Sequence, residues 1–183
     1  MTGHALRGFA AILMAAALFT VPAFAQTPPA APVVTESHQD GSWTVRCFNV
    51  ATYPCDIVQA SFLRSRNLKI ASIDITYITQ SGGYFARFVV PAGVSFDEGL
   101  TLQFGEFVSP HLKFRRCERD GCYVEGLLPP AMIAAMQAPD MSGKMHMMFM
   151  NGKKLDIPIA LDGFPQGISQ LRQLTAARMA ARK

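Results

Sequence analysis

Charge is scarce in this 183-residue chain: Asp, Glu, Lys and Arg make up 16% of it, and the formal net charge is only +4. So mild a balance provides no basic field for nucleic acid, and no nucleic-acid partner is expected. Long apolar runs are also missing. The best one, Phe9–Phe19, ends at Thr20 and Pro22, well short of the ~20 residues that span a bilayer. No later stretch is both long and uncharged enough to cross, so no transmembrane span is expected in the mature chain. There is no internal repeat. At 50% hydrophobic residues, the chain is nonetheless too apolar to be disordered.

Signatures of catalysis are missing as well. Gly167-Ile168-Ser169 is followed by Gln170 and Leu171, so no Gly-x-Ser-x-Gly elbow exists. Gly152-Lys153-Lys154 lacks the glycine-rich lead-in of a phosphate loop. Beyond His4, the histidines are His38, His111 and His146, and carboxylates such as Asp74, Asp97, Glu98 and Glu106 are scattered. No nucleophile–base pair can be assigned, and the chain is read as a non-enzyme that needs no cofactor.

What is present begins with an address. His4 and Arg7 precede an apolar stretch to Val21, then Ala23-Phe24-Ala25, a small-x-small cleavage pattern. Residues 1–25 read as a secretory signal cut near Ala25-Gln26, which predicts a periplasmic, outer-envelope or secreted protein. Arg7 is the only charged residue in that segment, so its removal lowers the charge to +3. Residues 26–41, with Pro28, Pro29 and Pro32, read as a flexible tether. A single folded domain is expected over 42–175, followed by a basic tail, 176–183.

Within the domain the dominant period is two. Trp43, Val45 and Cys47; Ile73, Ile75 and Tyr77; Leu100, Leu102 and Phe104; and Leu155, Ile157 and Ile159 each alternate with polar residues, as half-buried strands do. Less regular strands are expected at 55–62, 84–90, 111–117, 122–128 and 144–151. Turn signals separate them at Ser81-Gly82-Gly83, Val90-Pro91-Ala92-Gly93, Asp97-Glu98-Gly99, Asp120-Gly121 and Asn151-Gly152. About nine short strands predict an all-β class: an antiparallel β-sandwich or partly closed barrel. A short helix is expected from Pro129-Pro130 to Pro139 and a C-terminal one from near Pro165. On the latter, Phe164, Ile168, Leu171 and Thr175 share a face that extends to Arg178 and Arg182. A core-facing stripe cannot continue through two arginines, so docking is expected to end near Thr175.

Four Cys in an exported chain can pair in three ways. Sequential pairing, Cys47–Cys55 and Cys117–Cys122, is favoured because each pair flanks a hairpin connection. Met141, Met145, His146, Met147, Met148 and Met150 fall within ten residues. Thioether and imidazole groups are soft ligands suited to Cu(I), so Met145, His146, Met147, Met148 and Met150 are candidate ligands for a periplasmic metal-handling role. A strand would split them, with Met145 and Met147 on one face; a core strand filled by adaptable Met is the favoured reading. Lys113, Arg115 and Arg116 surround Phe114. Together with Arg178, Arg182 and Lys183 they could contact an anionic partner or hold the protein peripherally to an anionic membrane surface.

The ordered set Trp43-Thr44-Val45-Arg46-Cys47, Cys55 with Gln59, Val90-Pro91-Ala92-Gly93-Val94, Cys117…Gly121-Cys122 and Leu161-Asp162-Gly163-Phe164 resembles the invasion-associated locus B family of exported bacterial proteins. The resemblance covers residues 42–175. Where the family more often reads Ser-Leu-x-Gly-Phe, Ala160 replaces the serine, which tells against a functional hydroxyl there. The resemblance implies an envelope protein linked in some bacteria to host association, with no catalytic residues to carry over. The favoured expectation is a non-enzymatic binding module whose partner is an unidentified protein or an envelope or host-surface component. The alternatives are the Cu(I) protein and an enzyme whose site assembles from separated loops.

Overall fold

A computed structural model describes residues 31–50, 52–63 and 65–181. The expected signal segment and cleavage point lie outside the described residues, as do Arg182 and Lys183. In the compact unit Pro32–Lys183 the elements are β1 (Val34–Asp40), β2 (Trp43–Phe48), β3 (Cys55–Leu63), β4 (Leu68–Ile78), β5 (Gly83–Val90), β6 (Leu100–Phe104), β7 (Phe107–Val108), β8 (Arg116–Glu118), β9 (Gly121–Leu128), α1 (Pro130–Gln137), β10 (Gly143–Met148), β11 (Lys154–Ile159) and α2 (Phe164–Ala180). A seven-stranded sheet runs β1-β2-β3-β4-β5-β9-β8 and a four-stranded sheet runs β11-β10-β6-β7. All named pairs are antiparallel, and neither sheet closes into a barrel. The fold is sandwich-like, one of the two forms predicted.

The period-two residues line the space between the sheets. Val45, Ile57, Ile75 and Ala86 form one cross-strand row of the larger sheet. They share one buried cluster with Leu100, Leu102, Phe104, Met145, Met147, Ile157 and Ile159 of the smaller sheet. Non-directional burial of this apolar surface is the main source of stability. In α1, Met132, Ile133 and Met136 are buried, and in α2 the buried face is Phe164, Gly167, Ile168, Leu171 and Thr175.

Three expectations about boundaries are corrected. The second half of the expected tether is strand β1, paired with β2 from Val34↔Phe48 to Asp40↔Trp43. Its side chains are polar or exposed, so it shows no apolar alternation, and an edge strand held by backbone pairing needs none. The expected tail is helical through Ala180. Arg178 is not free there: it donates to Glu36 at 2.8 Å and to Thr35 at 3.2 Å, pinning the end of α2 to β1. Finally, the strand expected at 111–117 shrinks to β8 because the segment changes sheets. Leu112 exchanges backbone bonds with Leu100 of β6, whereas the Arg115 N–H bonds the Tyr123 carbonyl of β9 at 2.7 Å.

Both disulfides join directly opposed residues of neighbouring strands. Cys47 faces Cys55 across β2 and β3, with Cα atoms 4.0 Å apart, and Cys117 faces Cys122 across β8 and β9 at 3.9 Å. Closing such short loops contributes about 2–2.6 kcal/mol each. They pin hairpins rather than define the fold.

The segment Ala160–Phe164 acts as a latch between β11 and α2. The Trp43 indole N–H donates to the Ala160 carbonyl at 2.8 Å, and the Gln59 amide both donates to that carbonyl (2.7 Å) and accepts from the Ala160 N–H (3.1 Å). Ser42 donates to Asp162 through its hydroxyl (2.8 Å) and its N–H (3.2 Å). The Trp43 ring meets Phe164 at 4.9 Å. The Ala160 side chain is exposed, so what this position supplies is its backbone, which alanine and serine supply equally.

Candidate functional site

The outer face of the seven-stranded sheet carries a row of alternating charge. Arg46 grips Asp56 with two hydrogen bonds (3.0 and 2.6 Å) and reaches Asp74 at 3.3 Å. Arg87, opposite Asp74, bonds Glu125 at 2.9 Å, and Arg116 takes the other Glu125 oxygen at 2.9 Å. Burial pushes the Asp56 and Asp74 carboxyls up, against the pull of Arg46. Burial alone would raise Glu125 too, but hydrogen bonds from Arg116 and Arg87 hold it below the usual carboxylate range. Asp74, one of the scattered carboxylates of the sequence, is thus brought into a structural network whose charges are mutually satisfied.

At one end of this row, Arg116 lies 4.2 Å from the Tyr123 ring centroid, a cation–π distance. The Tyr123 hydroxyl donates to Asp120, and this bond, with burial, pushes the phenol up to about 12 from 10.0. The folded value exceeds the unfolded one, so the contribution to stability is fully present below pH 10 and is lost as pH rises through about 12. Spectrophotometric titration should show Tyr123 ionising near pH 12, and Asp120→Asn should return it toward 10. An unchanged titration in that variant would remove Asp120 as the cause.

The methionine-rich segment is divided by the strand that carries it. Met145 and Met147 are buried in the core, while His146 and Met148 are half-buried on the opposite face. Met150 lies beyond β10 in the turn, 78% exposed, and Met141 precedes the strand. His146 has both ring nitrogens engaged, with Asp156 at 2.8 Å and Gln103 at 3.0 Å. The core reading of Met145 and Met147 therefore matches their burial, and the remaining candidates are spread over a strand face and a turn. Sequence reasoning missed Asp156 and Gln103 as partners of His146. Beside them, a cleft of about 350 Å³ also takes in Glu98, His111 and Lys154. His111 donates through Nδ1 to the Glu98 carbonyl at 2.7 Å. Among the described residues, no hydroxyl nucleophile is bonded to either histidine.

The basic residues proposed to act together differ in their surroundings. Arg116 is paired with Glu118 and Glu125, and Arg178 with Glu36; Arg182 lies outside the described residues. Lys113 and Arg115 remain exposed and form no ion pair among the described residues. They flank an apolar groove of about 450 Å³ that Phe88, Leu112, Val124, Leu128 and Met132 help to line. Its other wall is the edge of β9. Pairing with β8 covers only Gly121–Tyr123, because the chain before Arg115 has turned away toward β6. The remaining residues, Val124–Leu128, are paired to β5 on one side and, among the described residues, to no strand on the other. At this edge Leu127 is 70% exposed. The cue in sequence was Leu127-Leu128 beside Pro129, but nothing local indicates that the neighbouring strand stops short.

Among the described residues no helix is long and apolar enough to cross a membrane. No curated protein matches this sequence. Among solved structures, the crystal structure of invasion associated protein B from Bartonella henselae is similar in fold: it is 20% identical, the match covers 78% of this chain and 99% of that chain, and the TM-score is 0.69. Neither that description nor the family's names a catalytic activity. The family model described as Invasion associated locus B (IalB) protein matches residues 43–172, from Trp43 of β2 into the docked half of α2. The resemblance read from Trp43, the paired Cys and the Gly163-Phe164 motif is therefore borne out, and the chain belongs to the invasion associated locus B family.

Proposed function

We propose that this chain is an exported, non-enzymatic binding module of the bacterial envelope, and that the groove beside β9 is its contact surface. The observation that carries this reading is the conjunction, among the described residues, of an uncovered strand edge, an apolar groove of about 450 Å³ and two cations without ion-pair partners. Soluble folds normally blunt such edges and bury such grooves, and an exposed one marks an interaction site. Two disulfides support a life in an oxidising compartment, in line with the signal read from residues 1–25. The charged row on the larger sheet is satisfied internally and serves stability rather than recognition.

The test is crosslinking in intact cells, with a photoreactive residue at Leu127 and a control at the equally accessible Met150. Leu127 should yield a reproducible protein, lipid or glycan adduct in the envelope fraction, and Met150 should not. If no adduct forms at Leu127 under several growth conditions, the contact surface is wrong; recovery of the protein in the cytosolic fraction would overturn the export.

A further inference from the structure

Resting on that reading of the surface, we infer that its occupant is an extended, acidic peptide segment that adds to β9 as its next strand. The direction of the free backbone groups comes first. The Tyr123 carbonyl accepts from Arg115, so Tyr123 turns its backbone bonds away from β5. Antiparallel pairing repeats every second residue, so Glu125 and Leu127 turn their N–H and C=O groups to the same side, beyond the end of β8. Two donors and two acceptors thus line an edge about 17 Å long, at roughly 3.4 Å per residue over Val124–Leu128. A strand laid along it satisfies them, the mode by which sheet edges capture extended peptides.

The groove supplies the selectivity. Successive side chains of an added strand point to opposite faces. One set enters the apolar space beside Val124, Leu128 and Met132, which favours alternating aliphatic residues. The charges nearest the edge are Lys113, Arg115 and Glu125. Glu125 is neutralised by Arg87 and Arg116, so the field an incoming chain meets is that of the two unpaired cations, and it favours carboxylates at the remaining positions. A lipid tail could fill the apolar space but would leave the four backbone groups unpaired, which is why a peptide is the better fit.

The experiment uses the mature protein with both disulfides intact and a fluorescein-labelled seven-residue peptide of alternating Glu and Val, read by anisotropy. Saturable binding is expected, and Lys113→Ala/Arg115→Ala should weaken it about ten-fold, since two exposed ion pairs are lost. The matching Lys/Val peptide should bind at least as weakly. The sharpest readout requires no change in the protein. Methylating alternate backbone nitrogens of the peptide should abolish binding in one register and leave it intact in the other, because only one set of N–H groups faces β9. Leu127→Pro, which removes an edge-facing donor from a position tolerant of proline, should act like the damaging methylation while leaving the thermal transition in place.

Equal binding by both methylated peptides, or none by the parent peptide, would overturn strand addition. So would binding to phosphatidylglycerol vesicles that displaces the peptide and is insensitive to Leu127→Pro, which would point to a membrane instead. Any of these results leaves adducts at Leu127 in cells intact as evidence for a contact surface, so the two readings fail separately.

Discussion

Replacing Trp43 with alanine is expected to lower the unfolding free energy by about 3–5 kcal/mol, the range for truncating a large aromatic in a packed core. Trp43 is 0% exposed, so truncation both removes its apolar area from the core and leaves a cavity. Two further losses follow from its surroundings. Its indole N–H is one of two donors to the Ala160 carbonyl, and its ring contacts Phe164, the first residue of α2. Against the roughly 5–15 kcal/mol that holds a domain folded, this single change removes a large share. Urea unfolding checks it, and Trp43→Phe separates the contributions: it retains most of the volume but not the donor, and should cost clearly less. Because Trp43 is the only tryptophan, both variants need circular dichroism rather than fluorescence. A loss under 1 kcal/mol in Trp43→Ala would show that the latch bears little of the stability.

Gly163→Ala is the second large effect, about 3 kcal/mol. Gly163 sits immediately before α2 with φ 80°, a left-handed conformation that costs an alanine about 1–2 kcal/mol. In addition, a Cβ there would overlap the backbone carbonyl of Asp40, and relieving such a clash costs a further ~1–3 kcal/mol. The nearest way to relieve it is to move β1 and α2 apart, which also strains the Arg178–Glu36 contact. Gly152 provides the control: its φ is 79° but a Cβ there meets nothing within 4 Å, so Gly152→Ala should cost only the conformational part, about 1–2 kcal/mol. Equal losses in the two variants would eliminate the close approach of Asp40 as a cause. The same geometry explains why the Asp162-Gly163-Phe164 motif is a structural signature: it sets the angle at which the last helix meets the sheet.

Most strands could be read directly because their signal is local. Val45, Ile73 and Leu102 each announce a buried face by alternation with polar neighbours, and Phe164, Ile168 and Leu171 announce one by helical spacing. Opposed Cys pairs across short loops were legible for the same reason. The pairing of His146 with Asp156 was not. An Asn-Gly turn of two residues would pair Met150 with Lys153 and so place Ile157 opposite His146. The hairpin instead bonds the Phe149 N–H to the Lys153 carbonyl and pairs Met148 with Lys154. This one-residue difference in register turns Asp156 toward the imidazole. Strand β1 escaped notice because a polar edge strand has no pattern of its own. The ion pairs of Arg116 and Arg178 were not legible because Glu125 and Glu36 are remote in sequence from the arginines they neutralise.

By itself, the order of residues determined the all-β class, the core faces, the two helices and the family, since each depends on periodicity or motif within a few residues. The weakly basic, apolar start and the even set of Cys are the sequence features on which the proposal of export rests. Only the tertiary structure decided which charges are satisfied and which edge is open. Among the described residues Lys113 and Arg115 have no ion pair and β9 is uncovered beyond Tyr123, because the segment between Leu112 and Arg116 crosses from one sheet to the other. That crossing depends on the order and register of strands far apart in the chain, which no local pattern specifies.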